Sequence, residues 1–372
     1  PSLHDQLFVA LDTLGGLPNE VQNAVSEQLI AGLSLLLGQH RSAIRSSTEW
    51  KITYGLLRAT IAHPAASKQT LELLATLIND ESLPVDAVEG LVMVLNDIAA
   101  LAGAAVEKKR TPHHNPTRSP LIERGCTAVD LLFKCCKFVP RIAATPSGQA
   151  QGWNKYALPI LISLSHQSVN PCRDVRHTAI VFFQRTLMGP QIMHGGGTEQ
   201  IVVAFHQTVF PLIQDLLDPG VYAHDPLPGG MSETRLRASG LLCRGFLYYL
   251  DPLSSEPETL TTLWLDVLEL VEQLMMADTR SQLYEAVPES LKNVLLVMQA
   301  SGALLSPTNP EDRPEEVQRR WQLTLEKMDS FLPGFLTDVI PLRVQSEAEM
   351  APAAEVNPAE GGANASTAPK AS

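Results

Sequence analysis

Apolar residues recur at four-residue spacing along almost the whole chain, and this pattern leaves little room for anything but helices. Val21, Val25, Leu29, Leu33 and Leu37 form one row, and Ile201, Phe205, Val209, Ile213 and Leu217 another. Leu260, Trp264, Leu268 and Val271 line a third stripe, and Leu291, Leu295 and Met298 a fourth. Residues four apart share a helix face, whereas a half-buried strand needs alternation at every second position. That alternation is hard to find, and the hairpin signal Asn-Gly is absent. Hydrophobic residues are 45% of the 372, but aromatic ones only 5%. The apolar content is therefore aliphatic and Leu-rich, which favours helix over strand.

The periodicity predicts helices over 2–14, 17–38, 48–62, 66–79, 84–103, 118–138, 152–166, 171–188, 197–218, 231–249, 257–277, 280–300 and 315–330. Several starts carry capping chemistry: Ser47 and Thr48 before Glu49, Ser232 before Glu233, and Asn170 before Pro171. His63-Pro64, Val139-Pro140 and Asp251-Pro252 read as stops. Helices of this length with short connections form antiparallel pairs. A pair cannot bury its apolar face alone, so pairs in series stack into a solenoid. Asp174-Val175-Arg176-His177-Thr178-Ala179 matches the second helix of a HEAT unit, and Glu233-Thr234-Arg235-Leu236-Arg237-Ala238 is a looser relative. In such units Asp and Arg tie neighbouring repeats and Ala admits close helix approach. The expected fold class is thus all-α, a HEAT/armadillo-like α-solenoid of antiparallel helix pairs.

Two stretches interrupt the pattern. Residues 107–120 are basic and rich in Pro and His, as a linker between helical regions 1–106 and 121–344 would be. Residues 345–372 are rich in Ala, Pro, Glu, Gly and Ser without hydrophobic period, and read as a disordered tail. The loop Pro219–Gly230 is long for a solenoid and is a candidate interface. The net charge of −12 argues against nucleic acid, whose phosphates call for a basic face. Five cysteines without a Cys-x-x-Cys pair, set in apolar runs, read as buried thiols of a reducing compartment. The run Leu91–Val106 is broken by Asn96 and Asp97, and no signal peptide precedes it. The chain reads as a cytosolic fragment of something larger.

Chemistry is sparse. His194-Gly195-Gly196-Gly197 is like an esterase oxyanion turn, but the Gly-x-Ser-x-Gly elbow that must accompany it is missing. His113-His114 lacks partners at metal-ligand spacing, and adjacent Cys135 and Cys136 diverge by about 100° on a helix. There is no phosphate-binding glycine fingerprint. No catalytic residue, cofactor or metal is expected. Lys108, Lys109 and Arg110 are candidates for touching anionic lipid, at about 1 kcal/mol per charge near a surface. Trp321, Leu325, Met328, Leu332 and Phe335 belong to an apolar stripe bent at Pro333-Gly334. It reads first as a terminal helix capping the solenoid, with partner or membrane docking as the alternatives.

Several stretches, carried most by Val287–Met298 (VPESLKNVLLVM), together resemble the large Golgi Arf guanine-nucleotide exchange factors, the Gea/GNOM/GBF class. The others are Thr48-Glu49-Trp50, Asp174-Val175-Arg176, Glu233–Leu250, Leu263-Trp264-Leu265 and Phe331–Asp338 (FLPGFLTD). The resemblance is good over 150–340, weaker over 1–105 and absent in the linker and tail. It implies that 1–106 is the second helical region downstream of the catalytic exchange domain, with the end of the first possible, and that 121–344 is the third. It also implies a parent acting on Arf GTPases at Golgi membranes, cytosolic and peripheral, with homodimerisation through regions outside this chain. The family's glutamate finger sits in a loop reading Phe-Arg-Leu-Pro-Gly-Glu. Phe331-Leu332-Pro333-Gly334-Phe335 places Phe where that Glu belongs. The implied role is therefore non-catalytic: regulation, membrane targeting and scaffolding. The rival reading is a HEAT/armadillo adaptor or transport receptor that captures protein partners.

Overall fold

A computed structural model describes residues 2–108, 119–145, 151–192, 197–225, 229–277, 282–307 and 314–342. Among these the regular elements are helical, with no strand. In chain order they are α1 (Leu3–Gly15), α2 (Asn19–Ala24), α3 (Ser26–Gln39), α4 (Ser47–Thr60), α5 (Pro64–Asn79), α6 (Val85–Lys108), α7 (Pro120–Lys134) and α8 (Phe138–Ala143). Then come α9 (Leu158–Gln167), α10 (Arg173–Leu187), α11 (Thr198–Ala204), α12 (Phe210–Leu217), α13 (Pro219–Tyr222), α14 (Gly230–Tyr248), α15 (Leu250–Leu253), α16 (Pro257–Ala277), α17 (Gln282–Ala300), α18 (Glu315–Asp329) and α19 (Phe335–Val339).

The long helices stack in two rows. In one row α1 packs on α4, α4 on α6, α6 on α9, α9 on the turn entering α12, α12 on α16 and α16 on α18. In the other, α3, α5, α7, α10, α14, α17 and α19 follow in the same order. Contacts between rows, such as α3 with α4, α6 with α7 and α9 with α10, close the pairs. This is an α-solenoid of antiparallel helix pairs, and a single contiguous core runs through it. α6 runs to Lys108, two residues into the expected linker, and α6 and α7 pack together more extensively than any other two helices described. A Cβ on Gly125 would come within 2.8 Å of the Ala102 Cβ, so the two backbones meet where glycine faces alanine. By length and composition α6 would suffice to cross a bilayer. Here Val88, Leu91, Leu95, Ile98 and Ala102 are wholly or nearly buried against its neighbours.

Three of the apolar rows are buried as their spacing requires, from α11 through the turn after it into α12 (where only Leu217 is half-buried), in α16 and in α17. The fourth splits. Val25 leaves helical geometry (φ −110°, ψ 8°) between α2 and α3, so Val21 and Val25 are exposed while Leu33 and Leu37 are buried. The predicted helices 152–166 and 197–218 are not uniform either. Trp153–Ala157 and Phe205–Val209 are π-helical turns, each followed two residues later by a proline, Pro159 and Pro211. Proline lacks the N–H for the i→i−4 bond and clashes with the carbonyl it would meet, and a wider turn absorbs both. The Ser165 hydroxyl donates to the Thr208 carbonyl in the second of these turns (2.9 Å), tying α9 to the next pair.

Three capping expectations are corrected. The N-cap of α4 is Ser46, which forms a capping box with Glu49. Asn170 does not cap a helix starting at Pro171. Its Oδ1 accepts from the Cys172 N–H (2.8 Å), and α10 starts at Arg173. Ser232 lies inside α14, which starts at Gly230. Pro140 and Pro252 fall within short helices rather than ending them.

Candidate functional site

The polar chemistry inside the solenoid is concentrated on buried arginines. Arg176 of α10, within the Asp-Val-Arg signature, is completely enclosed. Its Nε donates to Thr234 Oγ1 of α14 (2.9 Å), Nη1 to the Asn170 carbonyl (2.7 Å) and Nη2 to Asp225 Oδ2 (2.5 Å). Burial pulls this guanidinium below its ordinary pKa, with Asp225 opposing the shift. Arg173 donates to the same carboxylate oxygen (3.1 Å). Asp225 belongs to the long Pro219–Gly230 loop, so part of that loop serves internal fastening. Arg235, from the looser signature, donates to the Leu216 carbonyl (2.8 Å) and lies 4.0 Å from the Tyr222 ring centre.

Arg320 of α18 repeats the device, although no HEAT signature marks it. Its Nε donates to Thr261 Oγ1 (3.0 Å), Nη1 to the Ala303 carbonyl (2.5 Å) and Nη2 to the Pro257 carbonyl (2.8 Å). Burial lowers its pKa too. Thr234 and Thr261 are both the fifth residue of their helix, and each hydroxyl bonds the carbonyl four residues back. Both arginines thus grip a threonine near the start of another helix; Arg176 adds the carbonyls just before its own helix, and Arg320 those of Pro257 and Ala303.

The residues singled out by sequence are dispersed by the fold. Trp321 and Met328 are core, at 4% and 0% exposure. Trp264 Nε1 donates to Thr324 Oγ1 (2.9 Å), and Lys327 reaches both Glu269 and Glu272 of α16. Leu325, Leu332 and Phe335 are half-buried against that core. Trp321 and Met328 therefore offer no accessible surface, and any docking on this segment falls to the other three. Lys108 ends α6, some way along the chain from them. Lys109, Arg110, His113, His114, His194 and the 345–372 tail lie outside the described residues. Cys135, Cys136, Cys172 and Cys243 are buried and reduced. Burial raises the thiol of Cys136 to about 11 and that of Cys243 to about 12. Among the described residues no group of three or more His, Cys, Asp or Glu is placed to hold a metal.

What the surface does offer is a groove. Along α4, between α2 and α6, runs an open depression of about 690 Å³ lined in part by small residues, among them Gly55, Ala59, Ala100 and Ala104. Arg58 Nε pairs with Asp97 Oδ2 (2.5 Å) across it. A second depression of about 370 Å³ continues along α4 past Lys51, Asp86 and Glu89. Nothing stands within 4 Å of where a Gly55 Cβ would lie. Sequence reasoning missed this groove because it arises from glycine and alanine brought together by stacking, which carry no signal one at a time.

Stacked helix pairs locked by buried arginines define a helical-repeat solenoid. Residues 157–335 match the family model described as GBF1-like, tetratrico peptide repeat region. A Caenorhabditis elegans protein, Golgi-specific brefeldin A-resistance guanine nucleotide exchange factor 1 homolog, is 32% identical over 189 residues, 51% of this chain and 9% of that protein. The ARF guanine-nucleotide exchange factors GNL1 and GNOM of Arabidopsis thaliana are 26% and 25% identical over 91% and 93% of this chain. The chain spans 23% of the length of each of these two.

Proposed function

We propose that this chain is a non-catalytic regulatory, membrane-targeting and scaffolding region of a longer Arf-family guanine-nucleotide exchange factor acting in Golgi vesicle traffic. The observation that carries the reading is that relatives named as Arf exchange factors align along nine-tenths of the chain yet extend far beyond it. In this reading the exchange chemistry on the Arf GTPase belongs to another part of the longer protein, and no cofactor is bound here. The solenoid sits on the cytosolic face of Golgi membranes as a peripheral arm. Leu325, Leu332 and Phe335, with Lys108, Lys109 and Arg110, are the proposed contacts to partners or lipid. The test is release of a fluorescent GDP analogue from an Arf GTPase. The purified 372-residue chain is expected to leave the spontaneous rate unchanged, and an accelerated release would overturn the reading.

A second reading, a helical-repeat adaptor that captures an extended segment of another protein, draws support from the groove along α4. Filling it with Gly55→Trp is expected to abolish such capture while leaving helicity intact.

A further inference from the structure

A helix inside a solenoid meets a neighbour on each side and needs two apolar stripes, whereas a helix at a finished end needs only one and turns a polar face outward. The last long helix described fits the second case. α18 buries Trp321 and Met328 and exposes Glu315, Arg319, Gln322, Glu326 and Asp329. The opposite end does not. α1 buries Phe8 and lays His4 on Glu49 of α4 (3.0 Å), which is its stripe toward the solenoid. It carries a second stripe, Leu3, Leu7, Leu11 and Leu14, in which Leu3 is 84% and Leu7 49% exposed. α3 is built the same way. Ile30, Leu33 and Leu37 are buried, while Leu29 and Leu36 are half-buried and, with Gly32 and the edge of Leu33, line the end face.

These second stripes converge on a groove of about 450 Å³ lined by leucines of α1 and α3 and by Val25. Gln22 and Gln28 are its polar members, and no charged side chain lines it. A continuous apolar trough without charge suits another helix and offers nothing to an anionic headgroup.

We propose that this end face is an internal stacking surface and receives an amphipathic helix of a further solenoid repeat of the same, longer polypeptide. The inference rests on the reading that the chain belongs to a longer protein. It goes beyond that reading in assigning the occupant and its seat.

The test uses thiol labelling of Leu7→Cys and, as a second position in the groove, Leu14→Cys, each followed by peptide mass spectrometry. Val9→Cys, exposed but outside the groove, serves as control. Each variant is made in the 372-residue chain and in the longer protein, with exchange activity of the longer protein measured in the same preparation to report separately on the reading above. The expected result is labelling at both groove positions at least ten-fold slower in the longer protein, with Val9→Cys unchanged. Equal rates in the two forms would overturn the proposal. Protection already present in the 372-residue chain and lost on dilution would also overturn it, in favour of a second copy as the occupant.

Discussion

Replacing Arg176 by alanine should loosen one joint of the solenoid and leave distant pairs untouched. The guanidinium supplies donors to Thr234, to the Asn170 and Pro171 carbonyls and to Asp225, whose side chain is only 5% exposed. Removing one partner of a buried ion pair costs about 3–5 kcal/mol, mostly because the other charge stays buried. Arg173 still reaches Asp225 at 3.1 Å, so the lower end applies, about 3 kcal/mol. Stability in stacked repeats is close to a sum of nearest-neighbour terms, so the loss should fall on α10 and α14. Native-state hydrogen exchange measures this element by element. Amides of α10 and α14 should open more easily by about 3 kcal/mol, and those of α4 should not change. Adding Asp225→Asn to Arg176→Met, which removes both charges, should cost less than the two single changes summed. A loss below about 1 kcal/mol at α10 and α14, or equal loosening of α4, would refute the joint as described.

Other consequences can be checked as directly. A Cβ on Gly90 would overlap the ring of Tyr54, so Gly90→Ala should destabilise the α4–α6 contact by about 1–3 kcal/mol in urea unfolding. Iodoacetamide at pH 8 should modify half-buried Cys126 well before Cys136 and Cys243, whose thiols are raised and enclosed. Burial, aided by nearby Arg237, holds the His177 pKa below its ordinary value. The unfolded chain then binds the proton more readily, so this contribution is intact at neutral pH and is lost as pH falls through about 6.5 toward the folded value. His177→Gln should flatten the dependence of melting temperature on pH between 7 and 5.

Helix existence and the solenoid class were legible because four-residue periodicity is written in large aliphatic side chains. The Asp-Val-Arg signature also pointed to a real joint at Arg176. The equivalent joint at Arg320 was hidden because Arg319-Arg320-Trp321 resembles any charged helix start, and its partners Thr261 and Ala303 are distant in sequence. The π turns were missed although the spacing from Trp153 to Pro159 repeats from Phe205 to Pro211. Periodicity gives the helix but not its local winding, which the missing N–H of each proline widens in the turn before it. The Trp321 stripe shows the limit of amphipathicity alone. An apolar stripe says that something covers a helix, and here much of the cover is the molecule's own α16.

The proposed role is tested most directly by comparing the longer protein with a version lacking these 372 residues, on a soluble Arf GTPase and in cells. The account predicts that the shortened protein releases nucleotide from the soluble GTPase at close to the normal rate but fails to concentrate at the Golgi. Loss of exchange in solution, or normal Golgi association without this region, would contradict it.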